Sequence, residues 1–218
     1  MQGKFLKLTL LSVAIALSAA PMQAEAKMDE HAVIKKQKYT QSMVNLKNDL
    51  RKLWMEHALW TRNYIISDIA GLEDQEKTLN RLLKNQQDIG NAFKPYYGEA
   101  AGNQLAELLK EHILLAGKVL DAAKTSNKAD FEKYNKEWYR NADDLAVFLS
   151  KANPYWSEKA LKDILYKHLD MITIDVTARL KKDWDADIAE FDKGVDHLIM
   201  LADFLSEGVI QQFPKQFK

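Results

Sequence analysis

Apolar side chains recur at steps of three and four residues over most of this chain. The first such face starts near Lys38 and ends before Gly71, a residue type that commonly caps a helix at its C-terminus. Its members are Met43, Leu46, Leu50, Leu53, His57, Trp60 and Tyr64. This spacing places side chains along one side of an α-helix. No segment alternates convincingly with the period of two typical of a β-strand, so the pattern predicts an all-α fold.

Turn signals divide the remainder of the chain into further helices. Pro95-Tyr-Tyr-Gly98 and Asn153-Pro-Tyr-Trp156 are predicted turns, and Thr125-Ser-Asn127 is a predicted break. The predicted helices cover residues 38–71, 72–84 with a new helical piece from Asn85, 99–125, 128–151, 157–181 and 184–212. The chain is therefore predicted to be a bundle of about six helices, forming a single all-α domain over residues 38–213. The polar residues 27–37 are predicted to be a flexible lead-in.

Three histidines mark a repeat of about 56 residues. His57, His112 and His168 are separated by 55 and 56 residues, and a leucine stands seven residues before each of them. The second half of the repeat matches at an offset of 56, pairing Leu82 with Trp138, Asn85 with Asn141, Asp88 with Asp144 and Ile89 with Leu145. Amphipathic helices by themselves produce matching leucine columns, but they do not explain the histidine column. The pattern favours three αα-hairpin repeats that bury their apolar faces against one another.

The N-terminal residues have the order of a secretory signal peptide. Lys4 and Lys7 precede the uncharged apolar run 8–20, and Ala24-Glu-Ala26 follows as a small-x-small cleavage pattern. The run is shorter than the roughly 20 residues that a membrane-spanning helix needs. The sequence thus predicts a signal peptide at residues 1–26, cleavage near Ala26, and a secreted, extracytoplasmic bacterial protein without a transmembrane span in its mature part. An uncleaved N-terminal anchor is the alternative.

Composition excludes several classes of protein. The 218 residues contain no cysteine, which rules out disulfide scaffolds, thiolate zinc sites and iron–sulfur clusters. The 31 basic and 31 acidic residues balance, which argues against a nucleic-acid partner. We expect a monomer or weak oligomer with an unknown partner. Its stability must come from packing, because there are no cross-links.

The histidines are the candidate chemistry. His57, His112 and His168 each occupy the apolar face of a long predicted helix, near its middle. If the hairpins close around a common axis, the three imidazoles converge and form a metal site suited to Zn, Cu or Fe, with His197 as a candidate fourth ligand. The alternative is that these side chains are structural. They then bond to carbonyls or to amides such as Asn85 and Asn141, or form a ladder along an open solenoid.

Motifs of established catalytic sites are missing from the sequence. Glu-x-x-His and His-Glu-x-x-His do not occur, and neither do Gly-x-Ser-x-Gly or a Gly-rich phosphate loop. The sequence therefore predicts an exported, non-enzymatic helical binding protein of unknown ligand, with the histidine cluster as a candidate transition-metal site. An extracytoplasmic interaction or scaffold module with structural histidines is the alternative. An enzyme with a His–acid pair is less favoured.

Several motifs also resemble those of one family. They include His57-Ala-Leu-Trp-Thr-Arg62, Lys94-Pro-Tyr-Tyr-Gly98, Trp138-Tyr-Arg-Asn-Ala-Asp143 and Lys167-His168-Leu, within a similarity that covers most of residues 43–213. In order and spacing they resemble an uncharacterised all-α family of Bacillus-like bacteria. The resemblance implies a single domain and draws attention to His57, His112 and His168. It implies no activity, because no established function is associated with that family.

Overall fold

The computed structural model describes residues 39–218, in which five α-helices are followed by a short 3-10 helix. The helices are α1 (Gln41–Ala70), α2 (Gln75–Lys124), α3 (Lys128–Ala152), α4 (Glu158–Leu180) and α5 (Trp184–Gln212), and the 3-10 helix is Pro214–Phe217. These residues contain no strand, which confirms the all-α prediction. The signal peptide and the lead-in predicted for residues 1–37 lie outside the described residues.

The second helix differs from the prediction. Residues 75–124 form one α2, which passes through the expected start at Asn85 and kinks at the end of the expected turn Pro95–Gly98. Asn85 is fully buried and donates its side-chain amide to the Leu53 carbonyl at 3.0 Å, so it does not cap a helix. Gly98, at φ 82° and ψ 167°, kinks α2 into two arms. Residues 39–218 therefore contain five helices, and the predicted count of about six is not found.

Polar side chains fix where the other helices begin. Each accepts a hydrogen bond from a backbone N–H three residues later, which satisfies a donor that the helix itself leaves free. These caps are Thr40 for α1, Asn127 for α3, Ser157 for α4 and Asp183 for α5. The predicted starts of α3, α4 and α5 at residues 128, 157 and 184 lie within one residue of the observed ones.

Helices α1, α2 and α4 end in the same backbone conformation. Gly71, Ser126 and Lys182 follow them with φ of 64°, 55° and 60°. In each case this residue donates to the carbonyl three positions back, and the next residue donates to the carbonyl five positions back. Both bonds satisfy carbonyls that the helix end leaves free. The boundary at residues 181–184, which no Gly or Pro marks, is therefore formed by a lysine in the left-handed region.

The helices of residues 39–218 form a closed bundle. Consecutive helices pack against one another, and α5 also packs against α1. Arg51 on α1 holds Asp203 on α5 through two hydrogen bonds of 2.7 and 2.6 Å. Closure of α1 onto α5 excludes the open solenoid, in which the three histidines would have formed a ladder. None of the helices in the described range is long and apolar enough to cross a membrane.

Two glycines of α5 provide a test of the packing. A Cβ at Gly208 would lie 1.9 Å from Nε1 of the buried Trp156, whereas a Cβ at Gly194 would meet no atom within 4 Å. We expect Gly208→Ala to lower the free energy of unfolding by about 1–3 kcal/mol, because the side chain overpacks the core. Gly194→Ala should raise it by about 0.5–1 kcal/mol, because alanine favours the helix. Urea unfolding of both variants checks this pair, and equal effects would contradict the packing around Trp156.

Candidate functional site

Three histidines from distant parts of the chain meet in the core. His57 on α1, His112 on α2 and His168 on α4 are 3, 4 and 7% exposed. The ring centroid of His168 lies 5.8 Å from that of His57 and 6.2 Å from that of His112. His168 therefore lies between the other two. No layer of leucines separates the rings, so the convergence on which the sequence hypothesis depended is present.

His112 has a partner at each ring nitrogen. Trp138 donates its indole N–H to Nε2 at 3.1 Å, and Nδ1 lies 2.8 Å from Oδ1 of Asn141. Because the indole can only donate, Nε2 is the acceptor and Nδ1 carries the proton. Asn141 in turn donates to the Leu108 carbonyl at 3.1 Å. Asn141 is thus a partner of a core histidine, as the sequence suggested, whereas Asn85 is not.

His57 and His197 each bond through one nitrogen. The Gln86 side-chain amide lies 3.2 Å from Nδ1 of His57, and Gln86 is itself only 1% exposed. His197, which is less buried, donates from Nε2 to the Ile164 carbonyl at 2.9 Å, and its ring lies parallel to that of His168 at 6.4 Å. Sequence reasoning missed Gln86. The repeat drew attention to its neighbour Asn85, which is matched by Asn141. Gln86 is matched by Ala142, so the repeat gave no sign of a polar partner at this position.

His168 differs from the other two core histidines. Neither of its nitrogens is hydrogen-bonded to a group in residues 39–218, and the ring lies at the wall of a cavity of about 30 Å³. That volume holds about one or two water molecules. His57, Arg62, Asp175 and Glu190 also line the cavity. We call this space the polar cavity.

Burial keeps the core imidazoles uncharged. It lowers the pKa of His57 to about 3, helped by the proximity of His112. Burial also lowers the pKa of His112 to about 4, against the hydrogen bond that the ring donates to Asn141 and the charge of Glu111. The pKa of His168 lies well below its usual value, because of burial and the three neighbouring histidines. At neutral pH the three rings therefore offer unprotonated nitrogen atoms.

A buried ionic network reaches the polar cavity through Arg62 and Asp175. The Arg62 guanidinium donates to Asp175 at 2.9 Å and to Asp187 at 2.6 Å, and Arg179 donates to Asp187 at 3.1 Å. Burial raises the pKa of Asp175 to about 7, since Arg62 only partly offsets the burial and the nearby Asp187. Burial opposes ionisation of Asp187 too, but the hydrogen bond from Arg62 holds the pKa of that carboxyl below its usual value. Arg62 thus lies beside the histidines, because His57 and His168 line the same cavity.

The histidine cluster is not arranged as a ready coordination site. In the part of the chain that the structure describes, no group of three or more His, Asp or Glu side chains is placed to hold a metal ion. His112 has no free nitrogen, and His197 uses one of its two. The metal site predicted at His57, His112 and His168, with His197 as fourth ligand, stays a prediction.

The chain was compared with family models, with curated proteins and with solved structures, and none of them matches it.

Proposed function

We propose that this chain is an exported helical protein that binds a ligand at its histidine cluster and catalyses no reaction. The observation that carries the proposal is His168, a buried imidazole without a hydrogen-bond partner in residues 39–218, at the wall of the polar cavity. A ligand or water in the polar cavity can hydrogen-bond to this imidazole.

A transition metal ion is the ligand class that best suits the cluster. Zn, Cu and Fe bind neutral imidazole, and burial keeps these rings neutral. Two imidazoles on one metal, with metal–nitrogen bonds of about 2.0–2.1 Å, have ring centroids roughly 5 Å apart. The 5.8 Å between the His57 and His168 centroids needs only a small adjustment to reach this value. His112 joins the metal only if it releases Trp138 or Asn141.

Metal titration of the purified full chain tests this proposal. We expect saturable binding of one Zn²⁺ by calorimetry, weakened at least about tenfold in His168→Leu because the central ligand is lost. The control is His197→Asn, which places at position 197 the residue found at its equivalents, Asn85 and Asn141. If His197→Asn binds Zn²⁺ with unchanged affinity, His197 is not a fourth ligand. Weaker binding of Zn²⁺ by this variant would support that role. Absence of binding and of any thermal shift with Zn, Cu or Fe would contradict the metal proposal.

The second candidate is an interaction or scaffold module with structural histidines. The chain of hydrogen bonds from Trp138 through His112 to Asn141 favours it, because every polar atom of that histidine is satisfied within the fold. Under this candidate, replacing His168 lowers the free energy of unfolding but changes no metal affinity. The titration above therefore separates the two candidates.

We also propose the finer architecture, three αα-hairpin repeats. The equivalent helix ends at Gly71, Ser126 and Lys182 support it. So do three equivalent hydrogen bonds, in which the side chains of residues 85, 141 and 197 donate to the carbonyls of residues 53, 108 and 164 at 2.9–3.1 Å. In this arrangement His197 occupies the position of the two asparagines.

Export is the remaining part of the proposal. The basic start, the apolar run 8–20 and the small residues at 24–26 support a cleaved signal peptide. N-terminal sequencing of protein recovered from the growth medium should begin at or near Lys27. Recovery of only uncleaved, cell-bound chain would support the anchor instead.

A further inference from the structure

A second cavity lies beside the polar cavity and is almost entirely apolar. It has a volume of about 50 Å³ and lies among helices α1, α2, α3 and α4. Its inner walls are Tyr64, Ile65, Leu82, Ile113, Leu120 and Val176, which also form the smaller of the two hydrophobic clusters of the fold. We call this space the apolar cavity. Thr177 lines it and is exposed, so the cavity has a mouth to solvent.

The two cavities adjoin each other. Thr61, Ile65 and Ile172 line both of them. On one side of these residues the walls are aliphatic and aromatic, and on the other side His57, His168 and Arg62 supply polar groups. A molecule that spans the boundary therefore meets an apolar surface at one end and hydrogen-bonding groups at the other.

Two polar groups at this boundary lack partners within residues 39–218. The Oγ1 atom of Thr61 is buried and makes no hydrogen bond, although a helical threonine commonly bonds the carbonyl one turn earlier. His168, which is nine-tenths buried and lines the polar cavity, makes no hydrogen bond within those residues either. A hydroxyl can donate to one of these groups and accept from the other. The pair thus matches a ligand that carries an O–H group.

The charges of the polar cavity do not favour an anionic ligand. Asp175 and Asp187 already bind Arg62, so no uncompensated guanidinium is left to attract an anion. Bringing a charged molecule into the apolar cavity would also remove its hydration without a counter-charge. An apolar body without a formal charge enters at lower cost, as small aromatic molecules do in engineered protein cavities.

We propose that the two adjoining cavities form one binding site for a small neutral alcohol or phenol, with its body among Leu82, Ile113 and Val176 and its hydroxyl at Thr61 and His168. This site goes beyond the metal proposal and does not require a metal. At about 50 Å³ the apolar cavity is smaller than the roughly 150 Å³ of an engineered cavity that holds benzene, so a single ring or a short chain enters it only in part and extends toward the mouth at Thr177.

The test uses 4-fluorophenol as the probe, followed by ¹⁹F NMR during titration with the full chain. We expect saturable binding. In Ala116→Leu, where the longer side chain fills the apolar cavity, the affinity should fall at least about tenfold. The matched control is Ala100→Leu on the same helix, where the residue is exposed, and its affinity should equal that of the unaltered chain.

A second variant keeps the test decisive if Ala116→Leu does not fold. Thr61→Val removes the hydroxyl and keeps the shape, so it should weaken 4-fluorophenol about three- to tenfold. Fluorobenzene, which lacks the hydroxyl, should bind the unaltered chain and Thr61→Val with equal affinity. No saturable binding of 4-fluorophenol, or equal affinities for the unaltered chain, Ala116→Leu and Thr61→Val, would overturn the proposal. If Ala116→Leu still binds Zn²⁺ but has lost 4-fluorophenol, the alcohol site is independent of the metal site. Each proposal can then be contradicted without affecting the other.

Discussion

Acidification from pH 7 to pH 4.5 is expected to destabilise this protein by several kcal/mol. The folded pKa values of His57 and His112 are about 3 and about 4, while unfolded histidine has a pKa of about 6.5. Below pH 6.5 the unfolded chain binds protons that the folded chain excludes, so each of these histidines lowers the free energy of unfolding as the pH falls. At pH 4.5 the two together lower it by about 5 kcal/mol.

Asp175 acts in the opposite direction. Its folded pKa of about 7 lies above that of an unfolded aspartate, so the folded chain gains protons first and Asp175 adds stability as the pH falls from 7. Without the Asp175 carboxyl, the loss of stability that the histidines cause at low pH is therefore no longer offset. We expect Asp175→Asn to lose more stability between pH 7 and pH 4.5 than the unaltered chain does. Urea unfolding followed by circular dichroism measures both, and stability that is flat or rising toward pH 4.5 in the variant would contradict the account.

The second large effect is expected from the ionic network at the polar cavity. Arg62→Leu leaves Asp187, which is 2% exposed, without its main partner. Breaking a buried ion pair by removing one member typically costs about 3–5 kcal/mol, because an uncompensated charge stays in the core. Adding Asp187→Leu to this variant should recover part of the loss, since no charge is then left behind.

Arg51→Leu is the matched control for that prediction. Arg51 lies on the same helix and also binds one carboxylate, that of Asp203, through two hydrogen bonds, but its side chain is 44% exposed. An exposed pair contributes about 0–1 kcal/mol, so this variant should unfold almost like the unaltered chain. Chemical denaturation at pH 7 compares the variants. Equal and small losses for Arg62→Leu and Arg51→Leu would mean that the network at Asp187 is solvated.

Helix positions were predictable from this sequence because the apolar spacing and the capping residues agree. The predicted spans 128–151, 157–181 and 184–212 match the observed α3, α4 and α5 to within a residue at each end. The error in α2 has a physical cause. Asn85 resembles a helix cap by residue type, but in a closed bundle its amide bonds the carbonyl of Leu53 on α1, and no local pattern reveals that partner.

The site was predictable in part for the same reasons. The column of His57, His112 and His168 follows from the repeat, and a closed bundle brings those positions together. The hydrogen bonds that occupy His112 come from Trp138 and Asn141, which lie 26 and 29 residues away in the chain. Asp187 lies 125 residues from Arg62. Such details depend on how the helices rotate against one another.

The proposed binding site depends on core histidines that are neutral and on a nitrogen of His168 that is free to bond a ligand. A long-range ¹H–¹⁵N spectrum of histidine-labelled protein tests both conditions most directly, because ring nitrogen shifts report protonation and tautomer. At pH 5.5 we expect His57, His112 and His168 to be neutral, with the proton of His112 on Nδ1. Addition of Zn²⁺ should then move the nitrogen signals of His168 and His57. A charged His168 at pH 5.5, or nitrogen signals unmoved by the metal, would contradict the account.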